Sequence, residues 1–155
     1  MGKYTASVVD HLVVPVQVRL PPAHEEFLRR SGQPVPAPAS LRLLIDTGSK
    51  RTTLIPGILG HLQPTPNSEC RIVTALGALT TGLFWISLEF PDTRLAPFPE
   101  VLVARLPMPA ALSQFHGLLG RDLLRRWESF EYEGRRGCYT VRDKLGLFTW
   151  LRRWL

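Results

Sequence analysis

No apolar run in these 155 residues approaches the roughly 18 residues that a membrane-spanning helix needs. Residues 1–20 carry Lys3, Asp10, Gln17 and Arg19 and no long apolar stretch, so no secretory leader is expected. Cysteine is scarce. Cys70 and Cys138 are the only two, and neither belongs to a CxxC pair, which excludes a dense disulfide scaffold. A single bridge between them stays open as an alternative; two buried thiols in a reducing cytoplasm are the expected state. Zinc-hydrolase chemistry lacks its HExxH, and His11, His24, His61 and His116 are scattered, so no metal is expected. GxxxxGK and GxGxxG phosphate cradles are missing, and no cofactor is expected.

What the chain does hold is turn-forming residues: 14 prolines and 12 glycines, which argue for short elements joined by many turns rather than long helices. Hydrophobic residues make up 45% and charged residues 21%, an ordinary globular balance for one domain. The net charge is +6, and residues 121–155 hold nine basic against five acidic side chains. Such an excess can attract polyanions. The basic residues occur as scattered pairs, however, and no helix-turn-helix, finger or RNP signature accompanies them, so a solvated basic face is expected and no stable nucleic-acid partner. His116 and the tryptophans Trp85, Trp127, Trp150 and Trp154 are expected to serve packing rather than chemistry.

Val14, Val16, Val18 and Leu20 alternate with Gln17 and Arg19, which predicts a strand within residues 8–20, with Pro15 marking an edge or a strand start. Residues 21–40 predict a loop with one short helical turn at 24–30 and then a proline-rich arm. Residues 41–46, LRLLID, predict a strand ending in a carboxylate, and 52–62 a short strand followed by a helical turn. Residues 70–90 predict a hairpin turning at Leu76-Gly77-Ala78, with Phe84, Ile86, Leu88 and Phe90 on one face of its second arm. Further strands are predicted at 100–106 and 117–119, a helix at 121–127 and a hairpin turning at 134–137. The sum is mainly β, with a closed or sandwiched sheet and one firm helix. In the tail, Leu147, Leu151, Trp154 and Leu155 fit one helical face, suited to docking on protein.

The chemistry-bearing segment is Asp46-Thr47-Gly48-Ser49, which follows the apolar Leu43-Leu44-Ile45 directly. A strand there delivers a carboxylate to its own end, Gly48 permits a tight turn, and the Thr47 and Ser49 hydroxyls can bond the carboxylate or nearby backbone. The bare tripeptide also fits a plain Asx-capped turn. Some seventy residues on comes Leu118-Leu119-Gly120-Arg121-Asp122-Leu123-Leu124, with a glycine-tipped hairpin in between. The ordered set LLIDTGS, TALGALTTG, GLLGRDLL and FEYEGRRGCYTV resembles the retropepsin-like aspartic proteases, the retroviral proteases and their cellular and bacterial relatives.

That resemblance covers most of residues 10–143. It implies a closed acid-protease β-barrel with one short C-terminal helix over residues 1–143, active as a twofold homodimer; the amphipathic tail at 144–155 and the cytoplasmic location are expectations from the residues themselves. It makes Asp46 the catalytic carboxylate of an aspartic endopeptidase acting on peptides or proteins. It makes Thr47 the residue bonding across the dimer axis, Gly48 the turn beneath the carboxylate and Ser49 its orienting neighbour. Ala75, Leu76, Gly77 and Ala78 become the flap over a bound peptide. Gly120 becomes a close-approach residue, with Arg121 and Asp122 opening the following helix. The chain departs from the retroviral pattern at Lys50-Arg51, where those enzymes carry a carboxylate that pairs with the later arginine. Asp122 is then a candidate partner for Lys50 or Arg51, and these two cations flank the expected cleft, favouring acidic substrate side chains.

Hydrolysis without a metal or a covalent intermediate needs a base for water and an acid for the carbonyl, roles that two carboxylates sharing a proton fill. The sequence has one D-T-G; its echo, Asp92-Thr93-Arg94, lacks the glycine and the apolar run before it. Asp46 from each of two subunits is therefore expected to meet at a twofold axis. The alternative reading is a protease-like domain that binds peptides or dimerises with weak or no cleavage.

Overall fold

The computed structural model describes residues 2–75 and 77–143. The predicted turn residue Leu76 and the predicted tail at 144–155 lie outside the described residues. In chain order the elements are β1 (Lys3–Ser7), β2 (Val13–Arg19), α1 (Pro22–Arg30), β3 (Ala39–Ile45), β4 (Thr53–Leu54) and α2 (Pro56–Leu62). There follow β5 (Pro66–Thr74), β6 (Gly77–Glu89), β7 (Phe98–Arg105), a 3-10 turn at Ala110–Leu112, β8 (Gly117–Leu119), α3 (Arg121–Leu124), β9 (Ser129–Glu133) and β10 (Cys138–Arg142).

Six strands close a barrel. They follow one another as β2, β3, β8, β4, β7 and β6, and pairing of Gln17–Arg19 with residues 87–89 joins β6 back to β2. Closure removes the exposed edges that an open sheet would offer to other chains. Two pairings are parallel, β3 with β8 and β4 with β7. β5 pairs only with β6, so residues 66–82 make a hairpin extending beyond the barrel. A separate sheet of β1, β10 and β9 completes the domain.

The alternation in β2 does what the sequence predicts: Val14, Val16, Val18 and Leu20 are all buried. They meet Leu41, Leu43 and Ile45 of β3, Ile86 and Leu88 of β6, and Val101 and Val103 of β7 in one hydrophobic cluster. Burial of such side chains stabilises the fold by about 1.5–3 kcal/mol each. Pro15 stands on an edge stretch of β2, as the sequence predicts. It sits within the β2–β3 ladder opposite Arg42, and it is tolerated because β2 pairs with β6 only from Gln17 onward.

Three expectations are corrected. The helical turn predicted at 24–30 is the nine-residue α1, the longest helix described. Its buried Glu25 bonds Arg19 of β2 at 2.8 Å and Arg29 at 3.0 Å, which pins the helix to the barrel. The helix predicted at 121–127 is only four residues long, because Arg126 N–H and Trp127 N–H donate to Leu123 O and Leu124 O and tighten the chain out of α geometry. That turn seats Trp127 against Phe90 and Phe98 at centroid distances of 5.6 and 6.0 Å. Strand β1, which no local pattern announced, forms by pairing with β10 from Lys3↔Arg142 to Ser7↔Cys138. Cys70 and Cys138 are free and half-buried rather than fully buried. No described helix is long and apolar enough to cross a membrane.

Candidate active site

Asp46 is the first residue beyond β3. Its backbone N–H donates to Leu119 O at 3.1 Å, so the parallel pairing of β3 with β8 continues one step into the loop. The carboxylate Oδ1 accepts the Gly48 N–H at 2.9 Å and the Ser49 N–H at 3.2 Å. Two backbone donors on one oxygen fix the plane of the carboxylate. Oδ2 accepts no hydrogen bond among the described residues, which leaves it open to a water or a substrate group. A Cβ on Gly48 would stand 3.1 Å from Oδ1, inside the space this turn uses. Thr47 and Gly48 are exposed, while Asp46 and Ser49 are half-buried. The Ser49 hydroxyl turns away from the carboxylate and donates to Arg51 O at 2.8 Å.

A second segment runs alongside this loop. Arg121 N–H donates to Ser49 O at 2.9 Å and Asp122 N–H to Lys50 O at 3.2 Å. Contact is close enough that a Cβ on Gly120 would lie 2.5 Å from the Arg51 carbonyl carbon and 2.7 Å from its oxygen, so only glycine fits. The carboxylate of Asp122 accepts the Thr52 N–H at 3.0 Å, the Thr52 hydroxyl at 2.8 Å and the Leu123 N–H at 2.9 Å. The Thr52 hydroxyl in turn accepts the Gly120 N–H at 3.0 Å. Downstream, the Thr53 hydroxyl accepts the Leu118 N–H at 3.2 Å.

Asp122 therefore does not pair with Lys50 or Arg51. Its oxygens are taken up by Thr52 and Leu123, and neither Lys50, Arg51 nor Arg121 makes an ion pair among the described residues. Thr52, fully buried, is the hub that the sequence reading passed over. Its only signal was a pair of hydroxyl residues, Thr52-Thr53, opening an otherwise apolar segment.

The remaining singled-out residues fall elsewhere. Ala75, Gly77 and Ala78 sit at the exposed tip of the β5–β6 hairpin. Thr74 pairs with Gly77, and Gly77 has φ +119°, a backbone region that disfavours any side chain. No hydrogen bond among the described residues joins this tip to the Asp46 loop. His116 lies on the approach to β8 as a structural residue: its Nδ1 accepts the Arg42 N–H at 3.1 Å, and its backbone bonds Arg42 O and the Ile55 N–H. Asp92 and Thr93, the echo of the motif, form a turn after β6, with Asp92 at φ +58° and the Thr93 hydroxyl bonded to Phe90 O. The described residues contain no cluster of three or more His, Cys, Asp or Glu able to hold a metal.

No protein-family model matches the chain. No curated protein matches it by sequence either. Solved structures do. A retropepsin-like aspartic protease from Rickettsia conorii superposes with a TM-score of 0.58 at 14% identity, covering 92% of this chain and 91% of that one. EIAV protease complexed with the inhibitor HBY-793 aligns at 18% identity over 79% of this chain and 92% of that one, with a TM-score of 0.49. The first of these spans nearly the whole of both chains, and the fold of this protein is accordingly that of the retropepsin-like aspartic proteases.

Proposed function

We propose that this protein is an aspartic endopeptidase that works as a twofold homodimer, with Asp46 of each subunit forming the catalytic pair. The observation that carries the reading is the Asp46 carboxylate itself. It stands at the end of a barrel strand, one oxygen is held by two backbone amides, and the other accepts no bond among the described residues.

One such loop is half of the machinery. Two of them facing across a twofold axis bring like charges together, which favours a state with one proton shared between the carboxylates. The ionised partner draws a proton from water as it attacks the peptide carbon. The protonated partner gives its proton to the carbonyl oxygen, producing a tetrahedral diol. Collapse of the diol breaks the C–N bond, with a proton delivered to the departing amine. Thr47, exposed beside Asp46, meets its counterpart across the axis in such a dimer. The projecting β5–β6 hairpin supplies edge backbone groups for an extended peptide, in the manner of strand addition.

The test is peptide cleavage read by mass spectrometry over about pH 4 to 7. Wild type and Asp46→Asn are compared over a series of protein concentrations. The proposal predicts cleavage by wild type alone, rising faster than linearly with dilute protein. Silence from both, with a folded dimer present, transfers the reading to a peptide-binding domain without catalysis.

A further inference from the structure

Four cations border the Asp46 loop without a counter-charge. Lys50 and Arg51 end the loop, and Arg121 and Arg125 stand at the start and the end of α3. The two arms are stitched together by the Arg121-to-Ser49 and Asp122-to-Lys50 backbone bonds, so all four side chains leave backbone that flanks one loop. Lys50, Arg121 and Arg125 are exposed and Arg51 is half-buried. None of the four makes an ion pair among the described residues. Asp122, the acid next to Arg121, is taken up by Thr52 and Leu123. Elsewhere Arg19, Arg29, Arg30, Arg136 and Arg142 each have a glutamate partner, and Arg42, Arg105 and Arg126 lie over the rings of Phe115, Phe84 and Phe98, while Lys3, Arg71, Arg94 and Arg135 make no ion pair among the described residues. Arg121 and Arg125 are also spaced i,i+4, a like-charge pairing that costs a helix stability rather than adding to it. Four cations and no free acid gathered at the rim of the candidate catalytic loop make a surface complementary to an anionic ligand.

From this we infer that the loop selects substrates carrying aspartate or glutamate near the scissile bond, with Lys50 and Arg121 as specificity-determining residues. The inference rests on the peptidase reading, but its test need not. Exposed charge pairs are individually weak, so each contact is worth about a 1.4- to 5-fold change in affinity. Two acting together give an acidic peptide roughly a 2- to 25-fold advantage over its amide counterpart. That advantage shrinks as salt rises, because the screening length falls to about 8 Å at 0.15 M.

The experiment uses a cleaved peptide and its relatives with Asp or Glu replaced by Asn or Gln at successive positions on either side of the cut. The expected result is a preference expressed in KM rather than kcat, lost in Lys50→Gln/Arg121→Gln and reversed toward lysine-bearing peptides in Lys50→Glu/Arg121→Glu. The control Arg136→Gln, in the distant β9–β10 turn, keeps the preference. In parallel, binding of fluorescent acidic and amide peptides to Asp46→Asn is read by anisotropy. Discrimination there, even if wild type cleaves nothing, supports the inference while the peptidase reading fails. Equal handling of acidic and amide peptides, or a preference indifferent to the Lys50 and Arg121 substitutions, overturns it.

Discussion

Replacing Thr52 by valine removes one oxygen and preserves the side-chain outline, which makes it a direct probe of what holds the Asp46 loop. Two bonds disappear. The Gly120 N–H, buried, loses its acceptor, and the Asp122 carboxylate loses its 2.8 Å hydroxyl donor. An orphaned buried amide costs about 1–3 kcal/mol, and a hydrogen bond to a charged group is worth about 1.5–3 kcal/mol. Asp122 keeps the amides of Thr52 and Leu123, and the added methyl returns about 0.8 kcal/mol in this fully buried position. The net expectation is a loss of about 2–4 kcal/mol, a large share of the 5–15 kcal/mol typical of a domain. For a chain of this size that lowers Tm by roughly 4–16 °C. Urea melts and thermal scans of wild type, Thr52→Val and Thr52→Ser measure it, with the serine variant retaining the hydroxyl and most of the stability. A Thr52→Val Tm within about 2 °C of wild type would refute the assignment of Thr52 as the link between the Asp46 loop and α3.

Other consequences are equally specific. Gly120→Ala places a Cβ 2.5 Å from the Arg51 backbone, and should cost about 1–3 kcal/mol in urea melts and depress cleavage, since the loop must move to admit it. Asp46→Asn should reduce kcat by at least about 100-fold with an unchanged melting curve, because it removes proton transfer and keeps the shape. The hydrogen bond from Arg19 holds Glu25 below the ordinary glutamate value of 4.5, with the Arg19 and Arg29 charges adding to the effect against the opposing pull of burial. Its stabilising contribution is complete above about pH 4.5 and is lost as pH falls through the lowered native value. The Tm advantage of wild type over Glu25→Gln should therefore shrink on acidification below pH 4.5 and be steady from there to neutrality. An advantage that grows on acidification contradicts this linkage.

The parts of the fold visible in the sequence are those set by short-range pattern. Val14, Val16, Val18 and Leu20 read as a buried face because a strand repeats every two residues, and the hairpin read clearly from the alternation ending at Phe90. The Asp46 loop was legible because an apolar strand, a carboxylate and a glycine are contiguous. Long-range partners hid the rest. β1 exists because β10 offers it an edge some 135 residues later. α1 extends to nine residues because Glu25 finds Arg19 on a neighbouring strand. α3 stops at Leu124 because Trp127 must turn inward onto Phe90 and Phe98. Asp122 illustrates the same limit within the site. Charge alone pointed it at Lys50 or Arg51, whereas geometry gives it the amide and hydroxyl of Thr52.

The central claim is that one Asp46 from each of two subunits makes the active site, and subunit mixing tests it most directly. Wild type and Asp46→Asn are combined in equal amounts at fixed total protein, allowed to exchange, and assayed against wild type at that same total concentration. If both carboxylates are required, only dimers of two wild-type chains cleave, and activity falls to about one quarter. Activity of about one half, the value for chains that each work alone, would contradict the shared pair.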